Sequence, residues 1–238
     1  MRNTATIAFK EFKSYLASPM AYVVTGIFLV LTGFFFTISP STFLETSIRG
    51  FLEVSSILLL LLAAVLTMRL LAEERKMGTL ELLLTAPVRD SEVIVGKFLG
   101  SLGILTVMLA LTFYYPILLM LFGDPDMGAI VTGYLGLFLL GGTSLAIGLF
   151  ASSLTSNQIV AAVTAGGILF ALWFVGMAST FLPEALGEVL SYFSLSFYFP
   201  DFMSRLYFNH ISVCNLRLPC IVSINFYKTF RGKRNKRT

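Results

Sequence analysis

Few residues in this chain have the types and spacing that chemistry needs, and each candidate fails a specific requirement. Asp124-Pro125-Asp126 sets two carboxylates around a proline. That pattern reads as a tight turn, since a hard cation takes six or more oxygen ligands. Cys214 and Cys220 are the two cysteines, too few for a disulfide framework and without the spacing of a metal knuckle, and they read as ordinary thiols. His210 is the single histidine and by itself proposes nothing. Ser144, Ser152 and Ser153 have no base in view and read as hydroxyls bonded to their own helix backbone. A phosphate-cradling loop needs Gly-Lys followed by Ser or Thr, but Phe98 follows Gly96-Lys97 and Arg234 follows Gly232-Lys233. No catalytic, cofactor-binding or metal-ligating residue is therefore expected, and ATP is not expected to be hydrolysed here.

The informative stretch is RLLAEERKMGTLELLLTAPVRDSEVIVGK, from Arg69 to Lys97. Glu73, Glu74, Arg75 and Lys76 form a charged collar that carries a helix out into water, with Glu73 and Lys76 spaced to pair. Gly78 suits the break in that helix. Thr79 suits the cap of a short helix through Leu84, which Pro87 stops, and Asp90 or Ser91 suits the cap of the next long helix. Leu80, Leu82, Leu83 and Leu84 make the short helix apolar although it is far too short to cross a bilayer. Leucines in a water-facing loop need a partner. Either they lie back on their own bundle, or they enter a groove on a cytoplasmic protein with Glu81 as a polar anchor at the rim.

The elements that position this loop are membrane helices. The 238 residues are 56% hydrophobic and only 13% charged, about half the share of roughly 25% usual in soluble domains; mean hydropathy is +0.85. A soluble core of this size cannot hide so much apolar side chain. Charge-free stretches at about 20–38, 54–68 with its flanks, 98–121, 127–151 and 158–182 have the length a bilayer requires. A sixth stretch, 206–227, is marginal, because Asn209, His210, Asn215, Arg217, Pro219 and Asn225 lie within it. A central Arg alone costs on the order of 2.5–3.5 kcal/mol on insertion.

With the N-terminus inside and six spans, fourteen basic residues fall on the cytoplasmic side and only Arg49 and Arg205 outside. That asymmetry sets the expected topology and accounts for the net charge of +4 without nucleic acid. Ahead of the first span, Ala5, Ala8, Phe9, Phe12, Tyr15 and Leu16 recur at helical spacing opposite Lys10, Lys13 and Ser14, which predicts an amphipathic helix on the inner membrane face, ended by Pro19. Gly96-x-x-x-Gly100 predicts close helix approach at the start of the third span. Phe34, Phe35, Phe36, Trp173 and Phe174 are candidates to face lipid or a partner.

At the inner loop the chain resembles the permease subunits of ABC-2 class ATP-binding-cassette transporters, in particular the bacterial branch similar to gliding-motility permeases. The resemblance is carried by Glu73-Glu74-Arg75, Gly78-Thr79-Leu80-Glu81-Leu82-Leu83-Leu84 and Pro87, followed by Gly96-Lys97, and it covers about residues 1–205. It implies an all-α polytopic fold of five clear spans plus the marginal sixth. It also implies an interface helix over 1–19 and a permease domain over 20–205 with a coupling loop at 69–97; after Arg205 the match fails, and 206–238 reads as a marginal sixth span or an aberrant basic tail. By the same resemblance, Glu73, Glu74, Arg75, Gly78 and Thr79 to Leu84 with Pro87 dock a separate cytoplasmic ATPase that binds ATP and Mg, and a second permease copy or paralogue completes a dimer in the bacterial inner membrane.

Two other functional classes compete. An ion-coupled transporter normally places ionisable groups at membrane depth, and the five stretches contain none; Gly141-Gly142 and Gly166-Gly167 are the places where an unwound ion site would form, although close packing is the commoner use of such pairs. A structural membrane protein has no need of a leucine-rich inner loop.

Overall fold

The computed structural model describes residues 2–38, 48–78, 90–123 and 125–179, and among them the chain is helical with no strand. The expected coupling helix, the outer stretch beyond 179 and the marginal sixth span lie outside the described residues.

Seven helices follow in order: α1 (Arg2–Ala17), α2 (Pro19–Ile38), α3 (Arg49–Met77), α4 (Asp90–Thr112), α5 (Tyr114–Phe122), α6 (Met127–Leu154) and α7 (Gln158–Ser179). Five units are long and apolar enough to cross a membrane, with α4 and α5 counting as one. The all-helical, five-span expectation is met. Pro19 opens α2 with Ser18 alone between it and the end of α1, as its missing N–H and fixed φ favour.

The helices differ in what they bury. α6 is the most enclosed, α2 and α7 the least. α6 packs chiefly against α3, and α7 lies across both. The α3–α6 seam is possible because α6 is built from small residues where it crosses larger ones. A Cβ on Gly133 would strike Leu52, one on Gly141 would strike Leu105 and Leu59, and one on Gly148 would strike Thr67. Without a solvent-driven hydrophobic effect between helices in lipid, such close approach is what holds spans together. Ser152 completes the seam: its Oγ accepts from the Leu71 and Ala72 amides at 3.2 and 3.1 Å and donates to the Met68 carbonyl. Both α6 and α7 run unbroken through Gly141-Gly142 and Gly166-Gly167, so neither pair is an unwound ion site.

The third stretch departs from the expectation of one straight helix over 98–121. α4 ends at Thr112 and α5 begins at Tyr114, with a turn at Phe113. Pro116 is the cause: it has no N–H to donate to the Thr112 carbonyl four residues back, and its ring collides with that oxygen. The freed carbonyl is recaptured by the Tyr134 hydroxyl of α6 at 2.8 Å. Beside the break, Tyr115 reaches over Gly33 of α2 and donates to the Leu29 carbonyl at 2.8 Å. Its ring packs with Phe36 and Phe51 at centroid distances of 5.0 and 4.9 Å. Phe36 is thus a core residue, whereas Phe34, Phe35 and Phe174 are exposed on the bundle surface. Trp173 is partly buried against the core.

Of the Asp-Pro-Asp segment, Asp124 lies outside the described residues and Asp126 starts a helix. Asp126 adopts extended backbone and its Oδ1 accepts from the Gly128 amide at 2.9 Å, an N-cap on α6.

Candidate functional site

Most charged residues of the described chain gather at one end of the bundle, where α1, the last turns of α3 and the first turns of α4 meet. α1 reaches this end because α4 offers it a glycine track. At Gly96 a Cβ would stand 2.7 Å from Ile7 Cγ2, at Gly100 2.6 Å from Glu11 Cβ and 3.1 Å from the Ala8 carbonyl oxygen, and at Gly103 2.8 Å from the Phe12 ring. The close approach expected of Gly96 and Gly100 is real, but its partner is the N-terminal helix and not another span.

That docking divides α1 into three faces. Ile7, Ala8, Glu11, Phe12 and Tyr15 turn towards the protein. Phe9 and Leu16 stay exposed, Phe9 to 69%, and Lys10 and Lys13 occupy the polar side. The amphipathic helix is present as expected, with only part of its apolar stripe left for a membrane.

Lys97 lies at the centre of this end. It directly follows Gly96, the glycine seat of Ile7, is only 2% exposed, and its Nζ donates to Glu11 Oε1 at 2.9 Å and to Glu74 Oε1 at 2.8 Å. One ammonium therefore joins three helices. A buried ammonium without counter-charges costs several kcal/mol, so the two carboxylates are what make the position tenable. Around it, Arg69 makes a two-pronged ion pair with Glu73 one turn along α3, at 2.8 and 3.2 Å, and donates to Ser18 Oγ at the α1–α2 junction. Glu73 thus takes Arg69 as its ion-pair partner, where helical spacing had pointed to Lys76. Tyr15 closes the ring by donating its hydroxyl to the Leu66 carbonyl at 2.9 Å; burial pushes its pKa up, so it stays a protonated donor.

Beyond this cluster α3 stops at Gly78, the single described residue with left-handed φ (70°), whose amide bonds back to the Arg75 carbonyl. Of the residues expected to dock an ATPase, Glu73, Glu74, Arg75 and Gly78 stand here on the last turn of α3 and its cap. Thr79, Leu80, Glu81, Leu82, Leu83, Leu84 and Pro87 lie outside the described residues. The sequence does not single out Glu11, and it offers Lys97 as a loop charge and part of the Gly96-Lys97 pair, not as a buried pin. The available signal was one lysine beside a glycine at the mouth of a span, with acids of opposite sign at two distant places, and no spacing rule links those three.

Among the described residues no group of three His, Cys, Asp or Glu is placed to hold a metal ion. The arrangement is mechanical: it fixes the two roots of the α3–α4 loop to each other and to α1.

A family model described as ABC-2 family transporter protein matches residues 5–196. No curated protein matches the chain.

Proposed function

From its membership of the ABC-2 family transporter proteins, we propose that this multi-pass membrane chain is the permease subunit of an ABC exporter, driven by ATP hydrolysed on a separate cytoplasmic ATPase docked at the α3–α4 loop. The N-terminus and this loop are then cytoplasmic, in a bacterial inner membrane. The leucine-rich segment from Thr79 to Leu84 is the docking helix: Leu80, Leu83 and Leu84 supply apolar contact, and Glu81 and the Glu73–Arg75 collar supply the polar rim. A second permease copy or paralogue completes the complex, and the stretch from Glu73 to Pro87 favours the gliding-motility branch of the family.

The single observation that carries this reading is the Lys97 pin. A push on a loop does work on a membrane domain only if the loop's roots move together, and Lys97 ties the last turns of α3 to the first turns of α4 through Glu74 while holding α1 through Glu11. Displacement at residues 79–89 is thereby delivered to three helices as one body.

The test is co-purification of the ATPase from the neighbouring reading frame with a Leu83→Asp variant, with membrane insertion as the folding control. An unpaired carboxylate in a desolvated groove costs several kcal/mol and should release the ATPase. Glu81→Ala should keep the complex and lower transport per ATP. Normal insertion of Leu83→Asp with wild-type ATPase yield would mean that the loop rests on its own bundle and is not the coupling site.

A further inference from the structure

Between α1 and the last turns of α3, the charged end opens into a cleft of about 270 Å³ beside the Lys97 pin. Its lining is balanced in charge: Lys10, Arg69 and Lys97 against Glu11, Glu73 and Glu74. A purely anionic ligand would meet three carboxylates, and a purely cationic one would meet three cations.

The cleft does not end in polar surface. Tyr15, Ser18 and Arg69 also line a narrow recess that continues between the first turns of α2 and the body of α3, past Met20, Val24 and Val65. This second space is almost wholly apolar but holds only about 10 Å³, and it lies between two helices long and apolar enough to cross a membrane. The outward Phe9 and Leu16 give α1 the apolar face with which an interfacial helix sits at the depth where a bilayer changes from head groups to chains. A polar, charge-balanced chamber at that depth, beside two helices able to cross a membrane, suits a zwitterionic phospholipid head group whose chains lie outside the recess.

We propose that the cleft binds a zwitterionic, amine-bearing phospholipid of the leaflet that α1 faces. Its phosphate meets Lys10, which makes no ion pair among the described residues, together with the Ser14 hydroxyl. Its ammonium meets Glu73, whose carboxylate has acceptor positions left after the two Arg69 bonds. The bound lipid fastens α1 to the membrane and to α3 along the one side that the glycine track does not hold. The inference requires a membrane chain but not ATP coupling, so its failure would leave the permease reading intact.

Native mass spectrometry of the delipidated full chain, offered phosphatidylethanolamine or phosphatidylglycerol, tests it. Retention of phosphatidylethanolamine should exceed that of phosphatidylglycerol by about tenfold. Lys10→Glu should abolish the excess, while Lys13→Glu, on the same helix but outside the cleft, should leave it. Both lysines are exposed, so folding is not at issue in either variant. Equal retention of the two lipids, a preference for phosphatidylglycerol, or an excess that survives Lys10→Glu would each overturn the proposal.

Discussion

The two ends of the bundle are fastened by opposite chemistry. At one end Lys97, Glu11, Glu74, Arg69 and Glu73 form ion pairs over a glycine track. At the other, Phe36, Phe51 and Tyr115 pack ring against ring, and tyrosine hydroxyls capture the carbonyls of Leu29 and Thr112. The ion pairs tie three helices to one buried ammonium, whereas the aromatic rings pack around the break in a single span. The charged end is therefore suited to transmit a displacement as one unit, and the aromatic end to absorb the bend that Pro116 introduces.

Lys97→Met is the largest expected break in that contrast. It leaves Glu11 and Glu74 facing each other around a buried apolar side chain, and removing one partner of a buried pair costs about 3–5 kcal/mol. Thermal unfolding in detergent should show a large loss, and adding Glu11→Gln and Glu74→Gln should recover part of it. Full stability of Lys97→Met alone would mean that the pin does not hold the charged end together.

Gly100→Val comes next. Its side chain would meet Glu11 Cβ and the Ala8 carbonyl oxygen within van der Waals distance, and overpacking of this kind costs about 1–3 kcal/mol. α1 should lift from α4, so a reporter cysteine at Phe12→Cys, slow to label on the parent chain, should label faster. Unchanged labelling would show that α1 is seated elsewhere.

At the aromatic end the effect should be smaller. Tyr134→Phe orphans the Thr112 carbonyl, and hydrogen bonds between membrane helices are worth about 0.6 kcal/mol on average and about 1.7 at most. Equilibrium unfolding should place it well below Lys97→Met, and a reversal of that order would erase the distinction between the two ends.

Smallest of all is Gly26→Ala on α2, where a Cβ would meet nothing within 4 Å. The helix should be unchanged or gain up to about 1 kcal/mol. A loss of activity at full stability would identify Gly26 as a contact to another subunit.

The sequence by itself determined the membrane class, the five span positions, the amphipathic N-terminal helix and its end at Pro19, and the α3 stop at Gly78. These follow from local rules: the apolar length a bilayer demands, the missing proline N–H, and the left-handed backbone that glycine tolerates. The break in the third stretch was also local, written in Pro116, but hidden by the apolar run around it. Three things only the tertiary structure decided. Gly96 and Gly100 could have seated any helix, and it is the arrival of α1 that brings Ile7 and Glu11 onto them. Phe36 separates from Phe34 and Phe35 only because Phe51 and Tyr115 lie on its side of α2. Lys97 could be counted as a loop charge until Glu11 and Glu74, 86 and 23 residues away, were folded against it. Pairing at such separations leaves no periodic trace in a chain, since it depends on how helices cross and not on how each one is written.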